Sequence, residues 1–141
     1  MSKFLLPLLY FSVFISVKGN SWPQFRGPTG QGHVIGESKL PLKWNSDEGV
    51  TWQTYLNGKA WSSPICVDDQ LFLSNAIQKD GLLKLEILSI SFKSGRIQWR
   101  KNLFEYENLP RIHKKNSFAS PTPFYDEGRV FVHFGNLGTA C

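Results

Sequence analysis

Cysteine is scarce in this chain. There are two among 141 residues, Cys66 and Cys141, and they are not adjacent. Export would permit a disulfide, but two cysteines cannot make a disulfide framework, so the fold must rest on its apolar core. Cys66 lies in an apolar strand pattern, Pro64-Ile65-Cys66-Val67, and reads as a small buried hydrophobe. Histidine is nearly as rare. His33, His113 and His133 stand far apart and lack the short spacings of a zinc site. Charge is low at 19% and of mixed sign. A nucleic-acid surface gathers Lys and Arg on one face. Here they cluster only at Arg111-Ile112-His113-Lys114-Lys115, which reads as a solvated loop. Sustained helical periodicity is absent. A phosphate loop is absent too. Gly27, Gly30 and Gly32 imitate one, but no strand precedes them, no helix follows, and Pro28 interrupts the run.

The long hydrophobic run is single and N-terminal. Lys3 precedes an uncharged, largely apolar stretch from Phe4 to Val17. Fourteen residues are too few for a span of about 20. With small or modest residues before Gly19, the segment reads as a signal peptide over 1–19, with cleavage after Ser21 as the alternative. The chain is therefore expected to be exported, to the periplasm or the extracellular space, without a stable membrane span. Without Lys3 and Lys18 the formal charge falls from +5 to +3. Residues 20–42 are turn-rich and read as an irregular connector.

From 43 to 141 the language is that of strands. Val50 to Leu56 alternates and is rich in β-branched and aromatic residues. Asn57-Gly58 ends it. Ser62–Val67, Leu71–Ala76, Leu82–Phe92 and Arg96–Leu103 follow as strands between short polar turns. Phe104 to Lys115 reads as a seam, and Asn116–Phe124 and Arg129–Phe134 as the next strands. One phrase recurs after 57 residues: Trp61-Ser62-Ser63-Pro64 and Phe118-Ala119-Ser120-Pro121. Each copy leads to an acidic turn, Asp68-Asp69 or Asp126-Glu127-Gly128, and then to an apolar pair, Leu71-Phe72 or Val130-Phe131. A repeat of this length in strand language predicts an all-β repeating unit. Such a unit cannot bury both faces alone.

The stretch from Ser89 to Trp99 (S-I-S-F-K-S-G-R-I-Q-W) resembles the tryptophan-docking motif A-x-D-x-x-T-G-x-x-x-W of propellers of the pyrroloquinoline-quinone (PQQ) repeat type. Ser94 stands for Thr, Gly95 and Trp99 keep their spacing, and Ser89 and Ser91 replace Ala and Asp. Trp22 to Pro28, the strand of Trp61 and Pro64, and His113 to Pro121 resemble the same family. The resemblance implies a partial β-propeller of about two four-stranded blades, similar to the N-terminal part of a seven- or eight-bladed protein. It implies that Trp99 packs on a neighbouring blade. Quinoprotein dehydrogenases of this superfamily use a catalytic Asp, a Ca²⁺ held by Glu and Asn or Asp, and often a vicinal cysteine pair. This chain has no such pair, and its paired acids sit at equivalent turns, as solvated residues do. The expected function is a non-catalytic exported scaffold that binds a protein or other macromolecule. No cofactor is evident. PQQ and Ca²⁺ belong to the alternative, a periplasmic dehydrogenase whose catalytic blades lie outside this sequence. A third option, an outer-membrane assembly subunit, lacks the lipid-attachment cysteine. One polar cluster, His113, Asn116 and Ser117, is a candidate for the ligand-binding face. Its plainer reading is that Asn116 and Ser117 bond the backbone where the strand begins.

Overall fold

Two strands carry most of the apolar sequence, and they pair along their whole length. β2 (Gln70–Lys79) and β3 (Leu82–Ser91) form an antiparallel ladder in which Leu73 faces Leu88 and Leu85 faces Ala76. β1 (Ile65–Val67) pairs with β2 on one side, and β4 (Ile97–Tyr106) pairs with β3 on the other. The result is a four-stranded antiparallel sheet in chain order. A second sheet repeats the pattern with three strands: β5 (Phe124–Asp126), β6 (Arg129–His133) and β7 (Thr139–Ala140). The computed structural model describes residues 21–36, 41–109 and 111–141, and these are all-β apart from one 3₁₀ turn at Gly135–Leu137. The expected signal peptide, 1–19, lies outside the described residues.

Side chains alternate across a strand, so each face of the first sheet needs its own cover. Ile65, Phe72, Leu83, Leu85 and Ile87 pack with Ala119, Val132 and Phe134, filling the space between the two sheets. On the opposite face Leu73, Leu88 and Ile90 pack against Trp52, Leu56 and Ala60. The first sheet is thus the middle layer, with the second sheet on one side and residues 50–60 on the other. β3 is buried on both faces, which explains its almost unbroken apolar run.

Three segments depart from the sequence reading for physical reasons. Val50–Leu56 is extended, with Trp52, Thr54 and Leu56 half-buried and Thr51, Gln53 and Tyr55 exposed, yet it joins no ladder among the described residues. Residues 116–123 form a knotted turn instead of a strand. Asn116, Ser117 and Ser120 bond backbone groups locally, and Pro121 and Pro123 supply no N–H. β4 runs on to Tyr106, through the expected seam. Phe104 meets Phe134 edge-on at 6.1 Å, and the Tyr106 hydroxyl donates to the Leu137 carbonyl.

The N-terminal connector is irregular but docked. Trp22 exchanges two backbone hydrogen bonds with Cys66, at 2.7 and 2.9 Å, along the free edge of β1. One residue on, the Pro23 carbonyl accepts the Tyr125 N–H at 2.8 Å. Residues 22 and 23 therefore clip the inner edges of both sheets. Among the described residues no helix is long and apolar enough to cross a membrane.

Candidate functional site

The turn between β3 and β4 is built to receive a flat ring. Ser91 accepts the Gly95 N–H on its carbonyl at 2.9 Å and donates its own N–H to the Arg96 carbonyl at 2.9 Å. The Ser94 hydroxyl receives the Arg96 N–H, and the Ser91 hydroxyl receives the Ser94 N–H, each at 3.4 Å. Ser89 is used elsewhere, on Gln98 of β4. Gly95 has φ +68° and is buried. Its missing side chain matters, because a methyl there would overlap Cε3 and Cδ2 of an indole lying over the turn. That indole belongs to Trp52. Its Nε1–H donates to the Phe92 carbonyl at 2.8 Å, and Thr54 donates its hydroxyl to the Gly95 carbonyl. Sequence reading found the seat (Ser94, Gly95) but not its occupant. Only a partial signal was present: Gly49 stands three residues before Trp52, one fewer than separates Gly95 from Trp99.

Trp99 sits two strand positions into β4 and is 42% exposed, tilted on Phe72 at 6.0 Å. It lines a cleft of about 280 Å³ with Leu103 from β4, Val130 and Val132 from β6, and Ala140 and Cys141. Gly128 of the β5–β6 turn lines the same cleft but leaves the ring partly open.

Gly95→Ala should expel Trp52. We expect a loss of about 2 kcal/mol or more, from the positive φ and the displaced ring together, and a red-shifted tryptophan emission. Unchanged stability and emission would mean that the indole does not rest on this turn.

The two copies of the repeated phrase lie side by side. Ala60 and Ala119 form a parallel bridge, and the Ser63 N–H donates to Thr122 Oγ1 at 3.3 Å. Pro121 accepts the Ser74 hydroxyl on its carbonyl at 3.3 Å, tying the second copy to β2. Pro64 is exposed beside β1. Trp61 is 50% exposed and carries the Lys59 ammonium 5.5 Å from its ring centroid. Lys59, Ile112 and Phe118 line a second cleft, of about 230 Å³, at this end of the molecule.

The candidate polar face divides. His113 is exposed and turned back on its own loop, where Nδ1 accepts the Lys115 N–H at 3.2 Å. Asn116 Oδ1 accepts the Ser117 N–H at 2.9 Å and a share of the Ser120 hydroxyl proton. Ser117 is buried. Its hydroxyl donates to the Lys59 carbonyl at 2.7 Å and accepts the Ala119 N–H at 3.1 Å. Ser117 thus spends its hydroxyl on the backbone and Asn116 spends Oδ1 on its own turn, while His113 and the Asn116 amide Nδ2 present free edges to solvent.

Sequence reading missed a polar network around the buried Glu86 carboxylate. Asn75 and Glu86 face each other across β2 and β3. Asn75 Nδ2 donates to the Asn57 carbonyl at 2.7 Å and to Glu86 Oε1 at 2.9 Å, and Arg100 Nη1 reaches the same oxygen at 3.3 Å. Asn75 holds the Asn57-Gly58 turn on the sheet, and Glu86 and Arg100 hold Asn75 in place. Burial pushes the Cys66 thiol up from its ordinary range, and the Asp69 and Asp68 carboxylates add to the shift. That thiol stays protonated and is a poor nucleophile. Among the described residues no three His, Cys, Asp or Glu side chains gather where a metal ion would sit. The chain matches no protein family, no curated protein and no solved structure.

Proposed function

We propose that this chain supplies blades of an exported β-propeller scaffold that binds a protein or other macromolecule without catalysing a reaction. One observation carries the reading. Successive antiparallel meanders lie face to face, and their repeated Ser-Pro segments run parallel and adjacent at one end. Face-to-face stacking of repeats is how a propeller buries a continuous core. Ser117 is committed to backbone groups, while Trp61, Lys59, His113 and the Asn116 amide remain for contact with a partner. An exposed indole with a cation on its face suits recognition by packing and charge. The leader-like run at Phe4–Val17 supports export. The test is a dye-linked alcohol oxidation assay on the full-length exported protein supplied with PQQ and Ca²⁺. A scaffold gives no cofactor-dependent turnover. Turnover that requires both additions would replace this reading with the dehydrogenase.

A further inference from the structure

The smaller cleft, of about 230 Å³, lies at the β2–β3 turn end of the first sheet. β2 and β3 supply Ala76, Gln78 and Leu83 to its walls, the segment before Trp61 supplies Lys59, and the loop after β4 supplies Ile112 and Phe118. The floor is apolar. Ala76 and Leu83 are buried, and Phe118 is half-buried against the core. The rim is cationic. Lys59 lines the cleft, and Arg111, Lys114 and Lys115 stand exposed on the loop that carries Ile112. None of these four side chains pairs with a carboxylate among the described residues. The sequence keeps acids away from both segments, with no Asp or Glu from Gly49 to Val67 or from Asn108 to Tyr125. On the sheet beside them, Glu105 is already taken by Lys84 at 3.0 Å.

We propose that this cleft takes a segment of another polypeptide in which one apolar side chain is flanked by carboxylates. The apolar floor seats the side chain, whose burial supplies affinity. The cations of the rim meet the carboxylates in charge-assisted hydrogen bonds. Lys59 is the best placed of them. Its ammonium lies 5.5 Å from the Trp61 ring centroid, so the ring holds it beside the cleft. The Asn116 amide adds a donor on the facing loop. Cations without acids among them also steer an acidic partner from a distance. The size of the cleft suits one side chain, since sites for whole small molecules run from about 300 to 1,000 Å³. A polyuronate has the matching charge but no apolar side chain for the floor. A nucleic acid calls for cations laid along a track, whereas these gather at one cleft.

The inference rests on the scaffold reading, which assigns partner contact to this end, but the two fail separately, since turnover decides that reading and peptide binding decides this one. The probe is a short labelled peptide with one leucine among glutamates, titrated with the whole chain and followed by fluorescence anisotropy. Binding should weaken as salt rises. Replacing the leucine by serine should weaken it about fivefold, and exchanging the glutamates for lysines should abolish it. On the protein, Lys59→Gln with Lys115→Gln should weaken binding about tenfold, and Ile112→Ser about fivefold. All three positions are exposed, Ile112 to 40%, so these variants should keep the urea midpoint of the parent. Lys93→Gln, in the turn at the far end of β3, should leave binding unchanged. No binding at millimolar peptide, equal binding of the serine peptide or of polygalacturonate, or binding untouched by the cleft variants would overturn the inference.

Discussion

Phe134→Ala will cost this protein roughly 3–5 kcal/mol, the range for emptying a buried aromatic site. Phe134 is 1% exposed and belongs to the core that joins the two sheets. Its ring meets Phe104 at 82°, an edge-on geometry that adds to the loss of burial. A domain of this size has about 5–15 kcal/mol in all, so one substitution removes a large share. The loss should be uneven. β5–β7 depend on that core for their hold on the first sheet, whereas β2 and β3 keep their own ladder. Urea unfolding gives the total, and amide exchange gives its distribution. Protection should vanish across residues 124–140 and persist in 72–90. A loss under about 1 kcal/mol, or an even fall in protection, would show that the two sheets do not share this core.

Gly58→Ala is expected to be almost as severe, for a different reason. Gly58 has φ +101°, and a methyl there would lie 2.6 Å from the Ala76 carbonyl oxygen and 2.8 Å from Asn75 Oδ1. The first is backbone and cannot turn aside. The second belongs to a fully buried side chain tied to Asn57 and Glu86. The turn must therefore lift, which breaks the Lys59 N–H bond to Ala76 and opens the buried carboxylate of Glu86 to partial loss of its partners. The combined cost is about 3 kcal/mol or more. Gly81→Ala is the control. Its φ is +80°, but nothing lies within 4 Å of the added methyl. It should show only the conformational cost, about 1–2 kcal/mol. If the two variants lose the same stability, the close approach at Gly58 carries no energy.

Much of the fold was legible because its signals are local. Alternation gave β2 and β3, and the acidic turns gave the hairpins at Asp68 and Glu127, both at positive φ. The repeated Ser-Pro phrase announced two similar units. What escaped depended on distant partners. Val50–Leu56 has every local mark of a strand, but a ladder needs a neighbour, and none is near it among the described residues. Phe104 to Tyr106 read as a seam because nothing in the sequence says that Phe134 and Leu137 will stand over them. The seat at Gly95 was visible as a motif. Its occupant was not, because Trp52 lies 43 residues earlier and Trp99 stood closer in the pattern. Ser117 was singled out for its chemistry, and burial assigned that chemistry to the backbone of Lys59. The Asn75–Glu86–Arg100 network left no sequence signal beyond a carboxylate inside an apolar run, Leu85-Glu86-Ile87.

The clip at Trp22 and Pro23 has a consequence for how the chain acquires its shape during synthesis. Trp22 must wait for Cys66, and Pro23 for Tyr125, which is made 102 residues later. At about 5–20 residues per second, Pro23 is made some 5–20 s before its partner exists. Local hairpins close in microseconds, so the first sheet can form early with Trp22 on the edge of β1, while the Pro23 carbonyl stays without its partner for that interval. Residues translated first thus complete their contacts last, and the apolar face of the first sheet that Val132 and Phe134 later cover is the part of the nascent chain that a chaperone would meet.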